Sequence, residues 1–167
     1  MSPPTMSAET RALLSCLTSQ RDHVLGIVDG LADDALRTPV LPSGWTCLGL
    51  VRHLTLDVER FWFRAVVAGE DVELESGNDG WRVAADESAE AVLEAYRQES
   101  RLSDVIVAAT ALDAGPVWWP DALFGDLPRR DLRQTLLHVI TETACHAGHL
   151  DAARELIDGR TWLILTD

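Results

Sequence analysis

Residues 132–159, LRQTLLHVITETACHAGHLDAARELIDG, decide the fold. Asp131 stands before the stretch as an N-cap and Gly159 closes it, so it predicts one long helix ending near Asp158. Three of the chain's five histidines fall between positions 138 and 149, where even spacing would place about 0.4. At about 100° per residue, His138, Glu142, His146 and His149 project at roughly 0°, 40°, 80° and 20° around the helix, within one quarter of its circumference. They form a polar ladder on one face. Glu142 and His146 are an i, i+4 pair whose side chains converge, as metal ligands on adjacent turns must.

Working outward, three more long amphipathic segments appear. Apolar residues recur at helical spacing from Ser7 to about Leu31, at Leu13, Leu14, Leu17, Val24, Leu25, Val28 and Leu31. After the break at Pro39, Pro42 and Gly44, Thr46 caps a second helix running to about Ala68, with Leu50, Val51, Leu54, Val58, Phe61 and Trp62 on its apolar face. Residues 69–87 are acidic, contain glycine and lack periodicity, which fits a crossover connection rather than a tight turn. Ser88 caps a third helix through Val92, Leu93, Tyr96, Leu102, Val105 and Ile106, ending before Gly115-Pro116. An aromatic loop with Trp118, Trp119 and Phe124 then leads to Arg130. With no alternating strand in evidence, the expectation is an all-α four-helix bundle with a crossover connection. Residues 162–165, WLIL, are open between a short extended piece and an irregular tail.

The chain's 167 residues suit a single domain spanning 1–167. No window approaches 18 uninterrupted apolar residues, and MSPPTMSAETR lacks the basic and apolar regions of a signal peptide, so a cytoplasmic protein with no membrane partner is expected. A net charge of −13 repels phosphate backbones and argues against nucleic acid. Cys16, Cys47 and Cys145 are odd in number without paired spacing; they are expected as reduced thiols buried like small hydrophobes.

A single helix rarely supplies three ligands to one ion, because its reach over two turns exceeds a bond of about 2.0 to 2.2 Å. The second helix offers His53, beside Val51 and Leu54 on its apolar side. Alone, an interior histidine is more often a hydrogen-bonded core residue; with the ladder opposite, His53, Glu142 and His146 make a metal-ligand set. Asp57, one turn on, is placed to orient an imidazole through its other nitrogen. Two nitrogens and a carboxylate suit zinc or another first-row ion, and three protein ligands leave a coordination position open, as in catalytic sites.

Residues 42–70, PSGWTCLGLVRHLTLDVERFWFRAVVAGE, together with 132–159, resemble the DinB-like metal-binding four-helix bundle superfamily, most closely an actinobacterial-type branch. The resemblance spans nearly the whole chain. In that superfamily a histidine of the second helix and an H-x-x-x-H pair of the last bind zinc or nickel. Here Glu142 replaces the first of the pair, a departure shared with the mycothiol-dependent maleylpyruvate isomerases, whose His/Glu/His zinc set matches His53, Glu142 and His146. The superfamily also contains thiol S-transferases using mycothiol or bacillithiol. The resemblance therefore implies an enzyme in which the metal activates a low-molecular-weight thiol such as mycothiol against an electrophile. On this reading His149 or His138 serves as base or as a partner to the ligands, Trp118 and Trp119 line the pocket, and a homodimer is expected. The alternatives are isomerisation of an unsaturated dicarboxylic acid, which requires cationic anchors, and a non-enzymatic metal-stabilised bundle that binds a ligand or partner.

Overall fold

The computed structural model describes residues 6–163, and all regular structure among them is helical. Helix α1 spans Ala8–Val28, α2 Asp33–Arg37, α3 Cys47–His53, α4 Ala89–Ala109, α5 Asp121–Phe124 and α6 Leu132–Asp158. The four expected long helices are present, and the caps act as read: the Thr46, Ser88 and Asp131 side chains accept from the backbone N–H groups of Gly49, Ala91 and Gln134. Asp131 and Gln134 close a reciprocal capping box.

End-to-end contacts fix the topology. Glu9 pairs with Arg133 at 2.6 Å near the starts of α1 and α6, while Arg154, late in α6, donates to the carbonyls of Ile27 and Asp29 at the end of α1. These two helices therefore run parallel. The second long helix runs against α6, since His53 meets His146 near one end and Trp62 meets His138 near the other. Helix α4 also opposes α6, because Leu132 and Arg133 donate to the carbonyls of Ala114 and Leu112 just past the end of α4. The order is up, down, down, up, and the segment joining the second and third long helices must travel the length of the bundle. That is the expected crossover.

Several expectations need correction. The first helix stops at Val28, and the short α2 interrupts the following connection. The second helix is not α-helical throughout: beyond His53 it continues as a π-helix, Leu54–Val67. Its last turns bond in the i→i+5 pattern, as in Ala68 N–H to the Phe63 carbonyl at 2.9 Å. Ten of its fourteen residues are buried, because α4, α6 and the 117–124 loop cover it from different sides. The third helix ends at Ala109, and Leu102 and Val105 face solvent rather than the core. Of the cysteines only Cys47 is buried; Cys16 and Cys145 are exposed, lying on outer faces of α1 and α6. Burial pushes the Cys47 thiol up to about 11. In the tail, the Asp151 carboxylate holds the backbone N–H groups of Trp162 and Leu163; Ile164 and Leu165 lie outside the described residues.

The core runs through all four long helices, with Leu17, Val24, Leu50, Leu54, Phe63, Tyr96, Leu136 and Leu150 fully enclosed. Each such aliphatic or phenyl side chain contributes about 1.5–3 kcal/mol relative to exposure.

Candidate metal centre and cleft

His53 closes α3 at the mouth of the π-helix, and Glu142 and His146 occupy successive turns of the antiparallel α6 facing it. One ligating atom from each of the three lies within 4.8 Å of the others. Glu142 Oε2 and His146 Nε2 are 3.4 Å apart. A tetrahedral ion with bonds of about 2.1 Å sets its ligand atoms roughly 3.4 Å apart, so this edge already has the required span.

Second partners orient both imidazoles. His53 Nδ1 lies 2.8 Å from Asp57 Oδ2, which leaves its Nε2 as the nitrogen for a ligand. His146 Nδ1 lies 3.4 Å from His149 Nδ1, with Nε2 on the Glu142 side. Burial, reinforced by the neighbouring His53, holds His146 below its ordinary pKa, which favours the neutral form a metal requires.

The centre opens onto a cleft of about 780 Å³ whose walls include His53, Asp57, Trp81, His138 and Glu142, with Trp62, Trp118, Trp119 and Phe124 forming the aromatic side. Trp62 and Phe124 stack at 5.6 Å, and His138 sits edge-on to Trp62 at 4.8 Å. An apolar cleft ending in a few convergent polar groups is the general form of a small-molecule site.

A family model described as Mycothiol-S-transferase matches residues 12–159. The chain belongs to this family. No curated protein and no solved structure matches it. The family, a member of the DinB-like superfamily, agrees with the all-helical fold, and the matched range includes the helices on which His53, Glu142 and His146 lie. Among the described residues no helix is long and apolar enough to cross a membrane.

Against the family background, each residue singled out in the sequence has a definite place. His53, Glu142 and His146 converge; Trp118 and Trp119 both reach the cleft wall; His138 stands in that wall one turn before Glu142. Burial first, and then the Arg130 guanidinium, hold His138 below its ordinary pKa. His149 is apart from the cleft walls, exposed, and beside Trp45. His23, the fifth histidine, is half-buried on α1, away from these groups.

Sequence reasoning missed Trp81. This residue of the crossover stacks on His53, ring centres 4.1 Å apart and planes 16° from parallel, and also meets His146 edge-on. Two glycines permit the approach: a Cβ on Gly49 would strike the Trp81 carbonyl, and one on Gly80 would strike the Asp57 carboxylate. A lone tryptophan beside a glycine in an otherwise acidic loop was the available signal.

Proposed function

We propose that the protein is a metal-dependent S-transferase that joins a mycothiol-class thiol to an electrophile. The observation that carries this reading is the convergence of His53, Glu142 and His146 within 4.8 Å at the end of an aromatic cleft large enough for both reactants. The donor set fits a divalent first-row ion, zinc before nickel, which when bound would supply Lewis acidity that lowers the pKa of a coordinated thiol.

The chain's own residues supply the rest. Asp57 and His149 fix the ring orientations of His53 and His146. Trp81 covers the centre and excludes water from one side. His138, kept neutral by burial, accepts the thiol proton in the cleft wall and passes it to solvent. The thiol sulfur then forms the new bond to carbon, and the leaving group departs with its electron pair. Trp118 and Trp119 hold the electrophile's apolar body.

The cleft gives less support to isomerisation of a dicarboxylic acid. The wall beside the trio carries Asp57, Glu75, Asp121 and Glu142 but no arginine, so at least one carboxylate of a dianion would meet like charge there.

The test is transfer of mycothiol to a bimane halide by the zinc-loaded protein and by His53→Ala, Glu142→Ala and His146→Ala. Turnover in the wild type, lost together with bound metal in all three while helicity persists, is the expected result. A wild type that takes up no divalent metal, or ligand variants that turn over unimpaired, would overturn the reading.

A further inference from the structure

All fourteen basic residues of the chain are arginines. Eleven of them form ion pairs with carboxylates among the described residues. The exceptions are Arg11, Arg130 and Arg160; the Arg11 guanidinium donates to the Met6 carbonyl, and Arg160 is exposed at the end of α6. Arg130 differs from both. It is half-buried, its guanidinium carbon stands 5.1 Å from the centre of the Trp62 ring, and its Nη1 is enclosed without a hydrogen-bond partner.

Arg130 belongs to a second cleft, of about 540 Å³, and so does Trp119, whose indole N–H is likewise enclosed with no acceptor. The remaining walls are largely apolar, with Phe124, Leu127 and Leu137, and no carboxylate is among them. A buried donor without an acceptor is destabilising, more so if it is charged, unless a ligand completes it. In a chain with 27 acidic residues, a cationic cleft free of acids is an exception that selects for an anion.

We propose that this cleft is a carboxylate-binding subsite for the electrophilic cosubstrate, with Arg130 holding the carboxylate, Trp119 Nε1 donating to it, and Phe124 and Leu137 packing an aryl or branched body. The inference rests on the S-transferase reading and narrows its substrate class to organic acids with an apolar body. The two clefts share Trp62, Trp119, Phe124 and His138 as walls. A substrate anchored at Arg130 therefore extends past His138 toward Glu142, one helical turn away.

The probes are 2-naphthoate and its uncharged counterpart 2-naphthamide, titrated calorimetrically into the zinc-loaded full chain. Wild type is expected to favour the acid by about 10- to 100-fold, the range of a charge-assisted hydrogen bond. Arg130→Gln loses that preference while amide affinity, zinc content and helicity stay unchanged. Arg130→Lys retains a reduced preference, because an ammonium keeps the charge without the planar fork; it also serves if the glutamine variant fails to fold. Equal affinities in wild type, or a preference that survives in Arg130→Gln because the acid is held at the metal, would overturn the subsite. Absence of turnover with any thiol would sink the transferase reading and leave this binding difference in place. Retained turnover without the difference would sink the subsite alone.

Discussion

Each imidazole of the ligand trio is held through the nitrogen it does not offer to a metal, and at His53 that hold depends on a glycine. Asp57 reaches His53 Nδ1 only because Gly80 has no side chain where the carboxylate lies. Gly80→Ala is therefore expected to displace Asp57 and weaken zinc binding by about 10- to 100-fold, matching Asp57→Asn, as loss of such an orienting partner does. Competition against a chromophoric chelator measures this; unchanged affinity in both variants would mean that Asp57 does not orient the ligand. A pH dependence follows from the same residues. His138 and His146 both titrate lower in the fold than in the unfolded chain, where the ordinary value is about 6.5. Above that pH both are neutral in either state and contribute no slope. As pH falls below it the unfolded chain binds protons first, so stability declines until the folded-state values are passed. The metal-free protein should lose unfolding free energy as pH falls below about 6.5, and a His138→Gln/His146→Gln variant should show a flatter profile in denaturant titrations below that pH.

At the scale of elements, the caps and the ligand-bearing helix were legible because their signals are local. Asp131 is read as a cap from its immediate neighbours, and the His138-to-His149 ladder follows from helical geometry alone. The π-helix was not legible: Leu54, Val58, Phe61 and Trp62 also fit an ordinary amphipathic face, and the widened winding comes with burial on several sides by partners distant in sequence. The same burial hides a charged contact that no periodicity announces. Arg21 of α1 makes two hydrogen bonds to Glu59 of the π-helix, at 2.7 and 2.8 Å, with side chains 5% and 1% exposed, and a third to Asp104 of α4. Desolvation works against this pair, yet removal of one member leaves the other charge buried. Arg21→Met should lower stability by about 3–5 kcal/mol, whereas Arg21→Met with Glu59→Leu should recover much of that loss. Urea titration of the two variants decides it; equal losses in both would show that the pair acts through packing rather than charge.

For the whole molecule, the up, down, down, up order explains why the centre needs the crossover. The parallel second and third long helices force residues 68–88 to run the length of the bundle, and that passage lays Trp81 over His53. The sequence allowed the crossover to be expected from its length and composition. It could not place Trp81, because that contact depends on Gly49 admitting the Trp81 backbone and Gly80 admitting the Asp57 carboxylate. The trio joins two antiparallel helices, so a bound ion also cross-links the bundle, and a catalytic role must be separated from a structural one. The fully enclosed core spans all four long helices without involving the ligands, so the metal-free chain should remain folded. Zinc at 100 times its dissociation constant then adds about 2.7 kcal/mol by mass action alone, seen as a rise in the thermal midpoint. His146→Ala should lose this rise and keep the helical signal of the metal-free wild type. If it unfolds instead at room temperature, the ion is structural, as in domains whose metal-binding free energy is their folding free energy, and the S-transferase reading loses its main support.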